Sequence, residues 1–447
     1  MKKCLITLAV VLLILPLVNA TIITNTNQSV TYLRLLARNA SYTIDAVYYN
    51  PAGLTKLQDG FHLAFHNQTI SQEKTITNQF PLLNRSEFVG KVNVPIFPNF
   101  YAVYKKGKFA LSFGFGPNAG GGSADYANGL PSFETNYAML PLLVSGFGIP
   151  TTQYSADINF NGSSIYLGFQ LNASYAISDI FSVAGGVRVI SAKNTYEGSI
   201  SNVRINPGHP LLNPSGGLMS AVQFFTMIGQ PGYAASVSDL TVDAAQTGSA
   251  FTPILSLCLT PMDGMVIAAR YEFNTKLELT NDTVIDPTGM FPDGAKTRAD
   301  IPAILGFGIE YSVMPTLRFM AAFNTYFDKQ ADWNGAEAFV DSNSYDIAVG
   351  AEYDISKAIL ISAGYMRTVV GVGAGYQSDF SHALSSTTIA FGGQVKVLPQ
   401  LDFDLGVIFV NYDEDSISIP SVLGSFDEKY NRSTFAVAVG IGYHPGR

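Results

Sequence analysis

Residues 45–54 read Asp-Ala-Val-Tyr-Tyr-Asn-Pro-Ala-Gly-Leu, and they precede a long series of segments with two-residue periodicity. Asn50 stands before a proline, which pushes its backbone out of the helical region, and Pro51 and Gly53 interrupt regular structure on either side. A turn-forming stretch in this position is not sheet material. It predicts a segment that folds as a plug inside a barrel formed by the strands that follow.

The N-terminus has the pattern of a secretory signal. A short lysine-containing region precedes the apolar residues 5–18, and a small-residue cleavage site ends at Ala20. The apolar run is too short for a membrane-spanning helix. Removal of residues 1–20 leaves Cys258 as the only cysteine, which excludes an intramolecular disulfide.

The composition favours an exported membrane protein made of strands. Charged residues are 13% of the chain, against a usual quarter, and aromatic residues are 12%. Beyond the signal no run of apolar residues is long enough for a spanning helix, so alternation of lipid-facing and lumen-facing residues in a β-barrel is indicated. A secreted sandwich or propeller is the alternative, because alternation alone does not separate the two. The net charge of −8 argues against a nucleic-acid partner.

The turns predict the number of strands. Tight connections are predicted at residues 105–108, 178–179, 261–264, 314–315, 355–357 and 399–400. Six hairpins make twelve strands, and one strand before them and one after them bring the number to fourteen, an even number as in bacterial single-chain barrels. This count treats 240–260 as one strand. The other connections are longer, which places short turns on the periplasmic side and long loops outside.

The sequence therefore predicts an all-β protein, a 14-stranded antiparallel transmembrane β-barrel with an N-terminal plug inside the lumen. We assign residues 1–20 to a signal peptide, 21–59 to the plug and 60–447 to the barrel. A barrel of fourteen strands encloses more lumen than its own side chains fill, so a plug is needed to prevent leakage.

Residues 45–54 resemble the plug of the FadL-type family, outer-membrane transporters of long-chain fatty acids and other hydrophobic compounds, which carries an Asn-Pro-Ala motif. Residues 300–311 look like the Pro-Ala and Gly-x-Gly strand of that family, and 348–353 followed by 361–365 match its next hairpin. The resemblance covers nearly the whole mature chain. It implies a barrel in the Gram-negative outer membrane that takes up hydrophobic molecules passively.

The same resemblance implies a route. Apolar extracellular loops capture the ligand, the plug rearranges, and the ligand leaves laterally through a side hole at an inward kink of the third strand. Asn50, Pro51, Ala52 and Gly53 would then belong to the gate.

The third predicted strand, residues 108–116, ends in a pattern that fits such a kink. It contains Gly114 and Gly116 and is followed by Pro117. Proline cannot donate to a ladder, and glycine in a strand often marks a bend or a bulge. The alternative is a strand that simply ends in a flexible loop.

Two groups of residues are candidates for contact with a ligand. Alternation places Arg188, Arg270 and Arg318 in the lumen, where each could bind a carboxylate, and pairing with lumen acids is the alternative. The predicted loops 126–149 and 211–232 are rich in apolar residues, which predicts a hydrophobic capture surface unless they pack on each other. The capture candidates are Tyr137, Leu140, Leu143, Phe147, Phe224, Phe225 and Met227.

The sequence has no catalytic pattern. His62 and His66 lie on one face of a strand, roughly 13 Å apart, too far for one zinc ion. We therefore expect no enzyme activity, no cofactor and no metal. The expected partners are a hydrophobic small molecule and outer-membrane lipid, and the expected state is a monomer. A general aqueous porin and a surface adhesin are the rival functions.

Overall fold

The computed structural model describes residues 24–445. The predicted signal peptide, residues 21–23 of the predicted plug and the last two residues of the chain lie outside the described residues. The strands in the described part are β1 Gly60–Asn78, β2 Glu87–Lys106, β3 Phe109–Tyr126, β4 Tyr154–Ala176, β5 Phe181–Ile205, β6 Met219–Ser220, β7 Leu240–Leu259, β8 Met265–Glu272, β9 Glu278–Ile285, β10 Lys296–Arg298, β11 Ile304–Met314, β12 Leu317–Tyr326, β13 Ser344–Asp354, β14 Ile359–Val369, β15 Ser386–Leu398, β16 Leu401–Tyr412, β17 Asp415–Ile419 and β18 Phe426–Tyr443.

These segments form one closed antiparallel barrel. Each pass across the barrel pairs with the next pass along the chain, and β1 pairs with β18, where Leu63 stands opposite Tyr443. β6 is a two-residue appendage of β5, and three passes are interrupted, namely β8 with β9, β10 with β11, and β16 with β17. The barrel therefore has fourteen passes, which confirms the predicted fold class.

The predicted turns are confirmed, while several strands are longer than predicted. All six tight connections join neighbouring strands, and β7 crosses as one strand, as the count required. β3 continues to Tyr126 and β5 to Ile205, into residues 117–162 and 192–240, which the sequence predicts to be long connections. These extensions lie at the long-loop end of the barrel. No lipid surrounds the strands there, so their sequence does not alternate, although the backbone hydrogen bonds between strands continue.

The two faces of the barrel differ in polarity. On β16, Phe403 and Leu405 are exposed on the outer face, whereas Asp404 is buried on the inner face. On β1, Phe61 and Phe65 are exposed and His66 is buried. An apolar outer belt around a polar interior is the pattern of an outer-membrane barrel, since lipid contacts one face only.

The helices lie inside the barrel or at its long-loop end. They are α1 Val30–Leu35, α2 Ala46–Tyr49, α3 Pro131–Ala138, α4 Leu140–Gly146, α5 Ala221–Met227 and α6 Pro231–Ser236, with 3-10 turns at Pro51–Lys56, Asp328–Gln330, Ala336–Phe339 and Ala374–Tyr376. No helix in the described part of the chain is long and apolar enough to cross a membrane. The side chains of α1 and α2 are buried in the lumen, against strands on several sides.

Candidate functional site

The segment in the lumen begins with α1, whose start and end follow from local chemistry. Ser29 is the N-cap, and its hydroxyl accepts the backbone N–H of Tyr32 at 3.0 Å. Leu36 ends the helix with φ at 68°, in the left-handed region, and its N–H donates to the Tyr32 carbonyl. The short helix is thus fixed at both ends before it meets the barrel wall.

Glycines on four adjacent strands let α1 lie directly on the wall. A Cβ at Gly350 would stand 2.7 Å from the Leu35 carbonyl oxygen, and one at Gly406 would stand 2.8 Å from the Val30 carbonyl oxygen. Added methyl groups at the lumen-facing glycines of β14 and β15 would also meet the helix. Because only glycine permits this approach, the wall is shaped to receive α1.

An ion-pair network ties α1 to two strands. Arg34 forms a salt bridge with Glu352 on β13, a second with Asp404 on β16 at 3.2 Å, and donates to Ser362 at 3.1 Å. Both acids and the arginine are buried. Removing one member would leave an unpaired charge in the lumen, which is costly.

A second network of hydrogen bonds links residues within the loop that follows α1. Arg38 donates to both carboxylate oxygens of Asp45, at 2.9 and 2.8 Å, and Ser41 and Thr43 donate to the same carboxylate. Burial alone would raise the pKa of Asp45, but Arg38 and the two hydroxyls hold that pKa well below its usual range. Asp45 therefore stays charged as an internal anchor.

The predicted gate residues follow at the end of α2. The Asn50 amide donates to the Ser41 carbonyl at 2.9 Å, and its oxygen accepts the hydroxyl of Ser256 on β7, also at 2.9 Å. Asn50 is fully buried, and a Cβ at Gly53 would stand 2.5 Å from the Ser41 carbonyl. Asn50 thus joins two parts of the lumen segment to the wall.

Pro51 and Ala52 bind the wall through their carbonyls. Ser174 donates to the Pro51 carbonyl at 2.7 Å, and Ser182 donates to the Ala52 carbonyl at 2.8 Å. The backbone that leaves the lumen is therefore held by serines of β4, β5 and β7.

The seam between β2 and β3 is broken in its middle. Residues 100–106 pair with 109–115, and 91–92 pair with 124–125, but of the described residues 93–99 and 116–123 form no ladder across this seam. Pro95 and Pro98 lie within the first stretch and have no N–H to donate. In the second stretch, Gly120 and Gly122 have φ of 82° and 85°, which lets the backbone of β3 bend.

The beginning of the described chain covers this break from inside. The Asn25 N–H donates to the Asn118 carbonyl at 2.8 Å, and its side-chain amide donates to the Gly120 carbonyl at 2.6 Å. The Gln28 amide donates to the Pro117 carbonyl at 2.7 Å. The carbonyls that β2 leaves unpaired on β3 are therefore bound by the segment in the lumen.

Two residues of the barrel wall, one on β1 and one on β2, also bind the beginning of the described chain. Asn99 donates to the Gln28 side-chain oxygen at 3.0 Å, and Gln68 donates to the Asn99 side-chain oxygen at 3.2 Å. Gln68 also donates to the Asn27 carbonyl at 2.6 Å. We call residues 25–28 with Gln68 and Asn99 the latch. Gln28, Gln68 and Asn99 are buried, and residues 25–27 are half-buried. The latch contains no charged side chain, so it can open without separating ions.

The predicted kink residues lie at the lower edge of the break. Gly114 is still paired with Tyr101 on β2, whereas Gly116 and Pro117 are paired only with β4. A Cβ at Gly116 would stand 2.6 Å from the Gln28 side-chain oxygen. Gly116 therefore lies directly under the latch.

Two of the predicted carboxylate-binding arginines share a partner near the lumen segment. Arg188 forms a salt bridge with Glu272 at 2.5 Å, and Arg270 contacts the same acid at 3.3 Å. Both guanidinium groups lie 4.7 Å from the centre of the Tyr48 ring. Arg270 also donates to the Tyr48 carbonyl. Each of these arginines already has a carboxylate partner in the protein, although Nε of Arg270 is buried without a hydrogen bond.

Arg318 lies apart from that pair. It forms salt bridges with Glu352 at 3.1 Å and with Asp354 at 3.0 Å. It lines a cavity of about 330 Å³ at the short-turn end of the lumen, together with Arg34, Arg38 and other ionisable side chains. A second cavity, of about 480 Å³, opens toward the long loops. We call them the lower and the upper cavity, and the segment in the lumen separates them.

Six of the seven predicted capture residues belong to one apolar cluster at the long-loop end. Tyr137, Leu140, Leu143, Phe224 and Phe225 are buried in it, so α3 and α4 pack against α5 and α6. Phe147 joins the cluster as a half-buried residue.

Other apolar side chains remain on the surface of this cap. Met227 is 49% exposed and Leu211 is 86% exposed. The cap thus combines mutual packing with exposed apolar groups.

The sequence did not predict the latch or the four wall glycines against which α1 packs, which we call the glycine seat. The seat left a signal, since Gly350, Gly364, Gly392 and Gly406 all occupy lumen-facing positions of strands. Pro95 and Pro98 mark the break that the latch covers, but no sequence pattern marks the latch residues themselves. Within residues 24–445, no group of three or more histidine, cysteine, aspartate or glutamate side chains is placed to hold a metal ion.

Comparisons with known proteins give structural matches only. No protein-family model matches the sequence, and neither does any curated protein. Among solved structures, a FadL homologue of Pseudomonas aeruginosa is 12% identical, with 95% of this chain and 99% of that chain covered and a TM-score of 0.63.

Two toluene transporters are also similar. TodX of Pseudomonas putida is 14% identical over 90% of this chain and 94% of its own, with a TM-score of 0.59. TbuX of Ralstonia pickettii is 14% identical over the same shares, with a TM-score of 0.54. The resemblance found in the sequence is thus confirmed at the level of structure, and this chain has the fold of the FadL-type outer-membrane transporters.

Proposed function

We propose that this protein is an outer-membrane channel for the passive uptake of hydrophobic small molecules, namely long-chain fatty acids or related compounds. The observation that carries the proposal is the broken β2–β3 seam covered from inside by the latch. An opening in the barrel wall leads into the lipid bilayer. An apolar solute partitions favourably into lipid, whereas a water-soluble solute does not. The similar solved structures are toluene transporters and a FadL homologue, which supports this class of cargo.

In this proposal the ligand first meets the apolar side chains of the cap. Exposed groups such as Leu211 and Met227 would take it from water, and the upper cavity would receive it next. Residues 21–59 act as the plug and 60–447 as the barrel, which works as a monomer surrounded by lipid.

Plug movement is the next step. Opening the latch would free the carbonyls of Pro117, Asn118 and Gly120 and expose the break to the ligand. Gly114, Gly116 and Pro117 would border the exit, and Asn50 to Gly53 would hold the remainder of the plug while its N-terminal part moves. The ligand would then leave sideways into the bilayer.

The rival function of an aqueous porin requires an open lumen. Here the buried α1 and its ion pairs with Glu352 and Asp404 occupy the cross-section. An adhesin would depend on loop surfaces alone and would not need a broken seam.

Uptake by cells tests the proposal. An outer-membrane mutant that lacks its own fatty acid transporter is complemented with this chain, and uptake of labelled palmitate, toluene and a small hydrophilic sugar is compared with an empty vector. We expect palmitate or toluene uptake above the vector without sugar leakage. Sugar leakage without a gain in either apolar compound would establish a porin instead.

A further inference from the structure

The second strand has one extra residue beside the break. Between two neighbouring register pairs, β1 has only Thr69, whereas β2 has both Pro95 and Ile96, which makes a β-bulge. Both bulge residues are exposed, and Ile96 is 71% exposed. The bulge lies within residues 93–99, the stretch of β2 that forms no ladder with β3. Because a bulge bends its strand and interrupts pairing, the bulge and the break belong to one feature of the wall.

Two side chains of β1 bond this bulge. The Asn67 side-chain amide donates to the Pro95 carbonyl at 3.2 Å, and the Asn67 side-chain oxygen accepts the Phe97 N–H at 3.1 Å. The Thr69 hydroxyl donates to the same Pro95 carbonyl at 3.1 Å. An asparagine side chain has the donor and the acceptor of a peptide group, so Asn67 bonds the bulge as a second peptide would. The bulge is thus fixed at the β1 edge of its strand, away from the break.

The same short piece of β1 also holds the latch. Consecutive residues of a strand face opposite sides of the sheet, so Gln68 faces the lumen between Asn67 and Thr69. Gln68 is fully buried and bonds Asn27 and Asn99. Three consecutive residues of β1 therefore bond the edge of the break on the outer face and its cover on the inner face.

A second side-chain contact between β1 and β2 shows what is particular to the bulge. Ser71 donates to the Asn93 side-chain oxygen at 3.4 Å, and these two residues are register partners in the regular ladder. That bond adds to pairing that the backbone already makes. The bonds of Asn67 and Thr69 instead go to a carbonyl that the bulge has displaced from regular pairing.

We propose that Asn67 and Thr69 are positioning residues that hold the β2 bulge toward β1 and so keep the break in the β2–β3 seam open. The inference rests on the proposed function, in which the ligand leaves through the break, and it makes the latch the only part that must move. Without these bonds, residues 93–99 are free to approach β3, where residues 116–123 form no ladder with β2. Unpaired backbone groups favour such pairing, so the opening would narrow.

Dipolar EPR on the full barrel in lipid nanodiscs measures the width of the break. In a Cys258→Ala background, spin labels at Ile96→Cys on β2 and Ser123→Cys on β3 lie on opposite sides of the break, and both positions are exposed. Labels at Tyr104→Cys and Leu111→Cys form the control pair, because these residues are exposed register partners in the paired part of the same seam.

The positioning variants are Asn67→Leu and Thr69→Val, which remove the bonds at nearly constant side-chain size. Ser71→Ala is the matched control, because it removes a bond from the same face of β1 to a regular part of β2. We expect the double variant to shorten the distance across the break by about 2–5 Å, up to one strand spacing, and each single variant to shorten it less. The control pair and Ser71→Ala should show no shift.

Uptake of labelled palmitate by cells gives the functional readout. We expect a severalfold loss in the double variant at equal amounts of barrel, judged by heat-modifiable migration on gels, and wild-type uptake in Ser71→Ala. Thr69→Val removes a single bond, so it carries the distance measurement if the double variant does not assemble.

An unchanged distance across the break in the variants that assemble would overturn the inference, as would an equal shift in the control pair. A shorter distance with undiminished palmitate uptake would confirm the positioning of β2 but remove the break as the exit. A wild type that takes up no apolar compound would remove the proposed function, whereas the label distances would still decide whether Asn67 and Thr69 position β2.

Discussion

Asn50 connects the segment in the lumen to the barrel wall near its C-terminal end. Its amide group bonds the Ser41 carbonyl and the Ser256 hydroxyl, and no water reaches it. Asn50→Ala leaves the Ser41 carbonyl without its side-chain donor and the Ser256 hydroxyl without its acceptor, while that hydroxyl still accepts the Ala52 N–H, so the cost is about 1–3 kcal/mol. We expect faster amide exchange in residues 41–53 and reduced fatty acid uptake.

Asn159→Ala is the control for that variant, because it removes an exposed side-chain bond to Ser199 on the outside of the barrel. Wild-type exchange and uptake in Asn50→Ala would show that the residue has no part in the gate.

His382 makes the loop between β14 and β15 sensitive to pH. Burial, together with the nearby Arg432 and Lys74, lowers its pKa well below the ordinary 6.5. When the loop opens, the imidazole regains its ordinary pKa, so the open state binds more protons as the pH falls below about 6.5. The contribution of this imidazole to the stability of the packed loop is therefore lost as the pH falls from 7 to 5, by at most about 1.4 kcal/mol per pH unit.

Hydrogen exchange of residues 377–384 at pH 7 and pH 5, corrected for intrinsic rates, measures this effect. The raised pKa of the buried Asp379 acts in the opposite direction in both proteins. We therefore expect protection at pH 5, relative to pH 7, to be lower in the wild type than in His382→Gln. Equal changes in the two proteins would contradict the assignment of a buried neutral imidazole.

At the scale of elements, the broken seam between β2 and β3 is the feature that distinguishes this barrel from a closed wall. Gly116 lies under the latch, and a larger side chain there would meet Asn99 and Gln28. Gly116→Leu should fill the break and lower fatty acid uptake severalfold while the barrel still forms. Gly185→Ala is the matched control, because a Cβ at Gly185 would meet no atom within 4 Å.

Uptake by cells that carry equal amounts of the two variants is the measurement. If Gly116→Leu transports as well as Gly185→Ala, the break is not the exit.

The sequence predicts the membrane part of each strand well and the strand ends poorly. Inside the bilayer, lipid contacts only one face of each strand, so apolar and polar residues alternate. The sequence alone therefore predicts that Phe403 faces the lipid and Asp404 the lumen. Above the bilayer that constraint ends, and the extensions of β3 to Tyr126 and β5 to Ile205 are set by neighbouring strands instead. The break was readable in part, since Pro117 marks it on one strand and Pro95 and Pro98 on the other.

At the scale of the whole molecule, the segment in the lumen and the barrel wall are joined by contacts between residues far apart in sequence. Arg34 meets Glu352 and Asp404, and Gln28 meets Asn99. No local sequence pattern indicates which distant residues will form such pairs. For this reason the sequence predicted a segment inside the barrel but neither the glycine seat nor the latch. The motif at Asn50 indicated only that a plug was present.

The central claim is that the latch must open for a hydrophobic ligand to leave through the wall. Gln28→Cys with Asn99→Cys, in a Cys258→Ala background, places two thiols where the latch hydrogen bond now lies and leaves no other thiol among the described residues. A short, cleavable thiol cross-linker can then tether the plug to β2.

Fatty acid uptake before cross-linking, after it and after reductive cleavage is the measurement, with each single-cysteine variant as a control. We predict that uptake falls to the level of cells without the protein when the tether forms and recovers when it is cleaved. Undiminished uptake by fully cross-linked protein would contradict the account.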